Sequence, residues 1–485
     1  MTVAISQKDQ VLTPSVAAQK GYPDVRADID NVTRPVVFGL FTTAIMWLVV
    51  ASVLNCITAL KLQFPSFLNF SFLSYGRVAP AAEGVFLLGW CSLAGMGVGL
   101  WIVMRQSSRT SPGVGMAYLG VGLWNLGVLV GLVATLMGQV RPFAGLEFPF
   151  ASAVLIFAGF SFVAFWLFLS FDGGAENTPI ASMFVLGAIC WFVWSFLTGN
   201  LLLSSNRFTG AMEHIVSAWT SHGLVWLWLV PLAFGVAYYL VPKVTGRPIF
   251  SGPVARVSFW LFFILGGLTS MVQLSGGPVP LWLTSVGSGA SILLLVPIGA
   301  IIYNLYASAK GSDRVGVSPS ASFVRFGLIV ALVAAAFAAL GSLRSVDHIV
   351  HSTLFHVGVQ SLVLQGFVSM VIFGAIYYIM PRLSGCEWIS SSLISLHFLG
   401  ASYGVAMGCV MLLLSGVFSG IDLADADSLF SQVLQSSAFF YWGRTMSFGL
   451  LFVGYAAFVL HFVLMVLRIG QPEGEATLMR GAHGH

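Results

Sequence analysis

Three histidines fall within nine residues: His348, His351 and His356, directly after Arg344-Ser345-Val346-Asp347. A fourth, His222, lies eight residues beyond His214 in an otherwise apolar stretch, or about 12 Å deeper along a helix. Imidazole is the commonest protein ligand for copper, iron and zinc. Histidines inside an apolar helix are costly and mark a functional site, although hydrogen-bonded core or interfacial positions account for them equally well one by one. His222 is the metal-ligand candidate, and His351 and His356 are the haem candidates. Glu83, in Tyr75-Gly76-Arg77-Val78-Ala79-Pro80-Ala81-Ala82-Glu83-Gly84, is a proton-path candidate. Placed in a first helical turn, it is also the carboxylate that a helix dipole favours.

The elements that must position these residues are long and apolar. The chain has 485 residues, 58% hydrophobic and 8% charged, against about 25% charged in soluble domains. It reads as an all-α, polytopic membrane protein. Twelve spans are expected, over 35–60, 80–104, 113–137, 149–171, 179–204, 214–240, 254–276, 280–307, 321–345, 350–380, 391–420 and 437–468. Residues 1–33 form a polar tail, 34–470 the membrane domain and 471–485 a second tail. Fifteen of the 21 Lys and Arg residues fall on one side of these spans, which the positive-inside rule makes cytoplasmic, with both termini there. The cations sit at membrane edges, so the net charge of +4 gives no reason to expect nucleic acid. Five cysteines form no CxxC or CxxCH, which argues against covalent haem or an iron–sulfur cluster on this chain.

Two helices carry a related ending. Tyr238-Tyr239 leads to Pro242-Lys243-Val244-Thr245-Gly246-Arg247-Pro248, and Tyr377-Tyr378 leads to Pro381-Arg382-Leu383-Ser384-Gly385. Both helices carry histidines near their starts, so they read as counterparts in a repeated unit with the chemistry between them. Asp422, Asp425 and Asp427 make one loop acidic. The loop suits docking of a basic partner or simple solvation. His397 and His461 are single histidines of structural type.

Together these features resemble subunit I of the haem–copper oxidase superfamily in its C class, the cbb-type cytochrome c oxidases. The resemblance rests on Tyr75-Gly76-Arg77-Val78 with Pro80; His222 with the Tyr-Tyr and Pro-Lys ending; Gly276-Gly277-Pro278-Val279-Pro280; Leu343-Arg344-Ser345-Val346; and Ile376-Tyr377-Tyr378 with its Pro-Arg ending. It implies twelve helices in three arcs of four. It also implies where ligands belong. The low-spin haem histidine of the second helix falls on Ala82, and the copper histidine of the sixth falls on His222. The copper His-His pair of the seventh falls on Val272 and Gln273. The His-x-His of the tenth, counted without gaps, falls on Val359-Gln360-Ser361. A three-residue shift would bring His356 to the first of these and Gly358 to the second, at the cost of a compensating slip inside a helix.

On either count the centres are incomplete. Copper with one imidazole of three is not held, and the cofactor complement implied is at most one haem b, or none. Three functions stay open. The first is a ligand-poor scaffold or partner subunit of a membrane respiratory complex, not catalytic alone, working with other membrane subunits, lipids and c-type cytochromes in a bacterial inner membrane. The second is an oxygen or nitric oxide reductase with altered ligation. The third is a proton or small-solute transporter using the former oxidase cavity.

Overall fold

The computed structural model describes residues 22–107, 113–173, 178–205 and 208–469. The tails expected over 1–33 and 471–485 lie outside it, apart from residues 22–33, which are helical. Among the described residues there are twelve helices long and apolar enough to cross a bilayer. They are α1 (Tyr22–Gln63), α2 (Tyr75–Gln106), α3 (Gly115–Leu136), α4 (Phe150–Ser170), α5 (Ile180–Ser204) and α6 (Ala211–Thr245), followed by α7 (Gly252–Leu274), α8 (Leu281–Ala309), α9 (Pro319–Gly341), α10 (Leu354–Ser384), α11 (Ser391–Ala424) and α12 (Phe430–Val466). Helices are the natural choice here, because each satisfies its own backbone where lipid offers no hydrogen bonds.

Burial sorts the twelve. The apolar core window of α2 is 100% buried, that of α10 94% and that of α6 89%, whereas the other nine range from 39% to 56%. These three helices touch one another at the centre, and neighbours in the chain wrap them as α11–α12–α1–α2, α3–α4–α5–α6 and α7–α8–α9–α10. Each central helix widens into a π-helical stretch: Val85–Cys91, Leu224–Leu229 and Leu362–Ser369. The π stretches end thirteen or fourteen residues before Arg105, Lys243 and Arg382 respectively, so they lie at one level. There the Trp90 indole donates to Ser369 Oγ at 3.0 Å, and Trp228 donates to Ser92 Oγ at 3.0 Å. The paired endings are also one device. Gly246 (φ 69°) and Gly385 (φ 71°) take the left-handed conformation that glycine adopts without strain, and their N–H groups donate to the carbonyls of Pro242 and Pro381 at 2.9 Å.

Several boundaries differ from the sequence reading, α12 among them, which begins at Phe430 rather than 437. α1 begins at Tyr22 rather than 35, burying Ile29 and Thr33. α2 begins at Tyr75, with Pro80 inside it, because packing on α1 and α3 carries the helix through the proline. Glu83 therefore lies beyond the first turn, and the helix-dipole account of it does not apply. The tenth helix, expected from 350, starts at Leu354, and a separate short helix, Arg344–Val350, precedes it.

Small residues bring α3 and α4 into backbone contact, as between membrane helices generally. A methyl group on Gly159 would collide with the backbone of Trp124 and Gly120. Gly159→Ala is expected to lose about 1–3 kcal/mol to overpacking, read as a lower melting temperature in detergent. Gly122→Ala, with nothing within 4 Å of the new methyl, is expected to show no loss.

Candidate functional site

A cavity of about 350 Å³ lies between α6, α7, α8, α9 and α10. Its volume is at the small end of the ~300–1,000 Å³ typical of ligand sites. His222, Val272, Gln273, His351, His356 and Val359 all line it. The fold thus brings together the histidine candidates and three positions where the resemblance expects ligands. Ala82 and Ser361 are not among the lining residues. Ala82 packs with Leu54, Val78 and Ala81, and the Ser361 hydroxyl donates to Gln365 Oε1 at 3.0 Å.

His222 is buried in α6 and stacks on Trp226. Its Nε2 lies 2.6 Å from Thr269 Oγ1 and 3.2 Å from the Gly266 carbonyl, tying α6 to α7 where the helix tightens into a 3₁₀ turn. Thr220 packs against the Cα of Gly199, which seats this part of α6 on α5.

The second cluster sits where the short helix meets α10. His351 Nδ1 is 3.1 Å and His356 Nε2 4.0 Å from Asp347 Oδ1. Thr353 caps α10 by accepting from the N–H of Phe355 at 3.3 Å. Gly416 and Gly420 of α11 let the backbones of Phe355 and Ile349 lie directly on them. Asp347 is 5% exposed. Burial works against its charge, but hydrogen bonds from His351 and Ser275 outweigh this and hold its carboxyl below the usual range. The same bond from Asp347 raises His351. Asp347 had no role in the sequence reading. The residue was visible beside the histidines, but the chain reversal that faces it towards them was not. His348 and His214 are exposed.

Glu83 Oε1 accepts from Gln360 Nε2 at 3.0 Å, and Gln360 lines the cavity. A second carboxylate, Glu147, lies near it. It belongs to the connection between α3 and α4, which folds inward with Leu146 and Phe148 buried. Gly145 N–H donates to Glu147 Oε1 at 2.8 Å, while Oε2 has no partner among the described residues. Burial and then the charge of Glu83 push the Glu147 carboxyl up to about 8. Sequence reading missed it because a polar residue in a short connection reads as solvated. The flanking phenylalanines of Glu147-Phe148-Pro149-Phe150 are the one available signal.

His397 and His461 are fully buried at the other end of the bundle. The Tyr377 hydroxyl is 3.0 Å from His397 Nδ1, and Ser390 N–H donates to His461 Nε2 at 3.2 Å. Neither histidine lines the cavity.

The family model for cytochrome c and quinol oxidase polypeptide I matches residues 35–451. The chain belongs to that family. It is a multi-pass membrane protein of the cytochrome oxidase subunit I type. It is similar to the cytochrome c oxidase subunit 1 homolog of Agrobacterium tumefaciens (strain T37), with 23% identity over 456 residues, 91% of this chain and 84% of that protein. It is also similar to the Cbb3-type cytochrome c oxidase subunit CcoN1 of Stutzerimonas stutzeri, with 26% identity over 220 residues, 45% of this chain and 46% of that one. The solved structure of a heme-copper terminal oxidase dimer superimposes with a TM-score of 0.65 at 16% identity, over 95% of this chain and 88% of that one. The all-helical, twelve-span fold is the subunit I arrangement.

The family binds haem, so the donor set here must be tested against its cofactors. Copper does not fit. One imidazole faces the cavity from α6, its Nε2 already hydrogen-bonded, and Val272 and Gln273, where the resemblance expects two more, supply none. A low-spin haem does not fit between Ala82 and Ser361. The void beside α2, α10 and α12 measures about 10 Å³ and is walled by Phe86, Gln365 and Tyr455. Val359, where the resemblance expects a haem histidine, offers the cavity no ligand, and His356 is turned to Asp347. These residues support no redox step through either group.

The raised Glu147 carboxyl has a stability consequence. A proton held more tightly in the folded state stabilises it fully below the ordinary carboxylate value, and that contribution is lost as pH rises through about 8. Wild type is expected to melt at falling temperature from pH 6 to pH 9, and Glu147→Gln to show a flatter profile.

Proposed function

We propose that this chain is a subunit I-like scaffold of a membrane respiratory or electron-transfer complex, without a complete haem–copper centre of its own. The observation that carries this reading is the side-chain content at the positions where the resemblance expects ligands. Ala82, Val272, Gln273, Val359 and Ser361 offer no imidazole, and His222 is committed to Thr269 and Gly266. Replacements that carry no imidazole are physically coherent as a set, because a buried ligand that has lost its metal keeps its desolvation cost. Partners of matching character are other membrane subunits, including c-type cytochromes, in a bacterial inner membrane with both termini of this chain cytoplasmic. The membrane domain runs from the first span, starting at Ile29, to the last, ending at Val466. The relatives' names, which call them subunits, support an assembly.

The deciding measurement is a reduced-minus-oxidised and pyridine haemochrome spectrum, with iron and copper analysis, on the purified chain and whatever accompanies it. Less than stoichiometric haem b and copper on this subunit is expected. One haem b per chain, lost in His356→Ala, would overturn the scaffold reading and establish His356, with His351 beside it, as a haem site.

A second reading draws on the contact between Glu83 and Gln360, which joins a carboxylate to the cavity wall. In it, the cavity passes protons or a small solute. Liposomes containing the protein would then show a pH-driven flux that Glu83→Gln reduces at least tenfold. Flux equal to empty liposomes would exclude this reading.

A further inference from the structure

We infer that Asp347, His351 and His356 bind one divalent transition-metal ion of the zinc class, at the cavity wall where the short helix Arg344–Val350 meets α10. The three side chains offer ligand atoms that all lie within 4.8 Å of one another. The two distances to Asp347 Oδ1, 3.1 Å from His351 and 4.0 Å from His356, bracket the ~3.3 Å edge of a tetrahedron with metal–ligand bonds of about 2.0–2.1 Å. Small side-chain rotations would draw in the edges that exceed this, none of them above 4.8 Å.

A simple ion pair does not account for the cluster. His351 pairs with Asp347 by a normal hydrogen bond. His356 Nε2 is shielded from water, has no hydrogen-bond partner among the described residues, and still faces the same carboxylate oxygen. A buried, unpartnered imidazole nitrogen opposite a buried carboxylate is costly as it stands. A metal ion supplies positive charge and uses the lone pair. The backbone also holds this arrangement without the ion. Gly416 and Gly420 fix the chain reversal from outside, the Thr353 cap starts α10 at the break, and Ser275 orients Asp347.

The donor set selects the ion. Two imidazoles and one carboxylate suit Zn²⁺ and its first-row neighbours, whereas Ca²⁺ and Mg²⁺ require oxygen ligands. Three protein ligands leave a fourth position for water or a small anion, and both imidazoles line the cavity that can hold it. The ion would pin the short helix to the first turn of α10. This inference rests on the scaffold reading to the extent that His356 is not a haem ligand.

The test is Co²⁺ and Zn²⁺ binding to the full-length protein after chelation, read by visible absorption and by metal analysis. One ion per chain is expected. His351→Ala, His356→Ala and Asp347→Asn should each weaken binding at least ~100-fold, beyond the 10–100-fold cost of changing an outer-shell residue. His348→Ala and His214→Ala should leave it unchanged. Melting temperature and elution profile, taken on each variant without metal, separate lost ligation from lost folding. No stoichiometric binding, or binding equal in the three variants and the two controls, would overturn the site. If the protein carries neither metal nor haem, this inference alone falls. If haem is present and lost with His356, the scaffold reading falls with it.

Discussion

The constraint on which the rest depends is that three helices are enclosed on all sides. α2, α6 and α10 have almost no surface facing lipid, so every side chain along them must find a protein partner. Indole N–H groups are the hardest to place, since no water reaches a bilayer centre. Trp90 reaches Ser369 on α10, and Trp228 reaches Ser92 on α2. Between α6 and α10 the corresponding contact is aromatic, with the rings of Phe234 and Phe367 4.9 Å apart. Side chains thus fill the centre from all three helices.

That packing also surrounds the positions where the resemblance expects ligands. Several of those positions hold side chains that find partners within the protein. Ala82 joins a small aliphatic cluster, and Ser361 bonds within its own helix. His222 serves as a fastener between α6 and α7. The cavity lies beside α6, α7 and α10.

Much of this was legible in the sequence. The spans are long and apolar enough that position errors of a few residues leave their number unchanged. The paired Pro-Lys and Pro-Arg endings announced two equivalent helix stops, because proline restricts its neighbours and glycine alone takes the left-handed turn freely. Counting from Gly276-Gly277 and from Arg344 put Val272, Gln273 and Val359 together, and all three line one cavity with His222. Three features were not legible, each depending on packing between distant elements. Pro80 reads as a helix start, yet α2 extends before it. Glu147 reads as a loop residue, yet Phe148 draws its segment inward by fitting against Gly84 and Gly131. The π stretches carry no local signal.

The common ending of the central helices also fixes vertical position. Arg105 lies over the Trp101 ring at 4.5 Å and Arg382 over Tyr378 at 3.6 Å, with Lys243 at the matching place on α6. Three cations at one level, two of them seated on aromatic rings, act like a waterline painted on a hull. Sinking the bundle would drag them into hydrocarbon, and raising it would strip aromatic rings from the interface they prefer. The cavity and its histidines are therefore held at a set distance from both faces of the bilayer, whatever the surrounding helices do in lipids of different thickness.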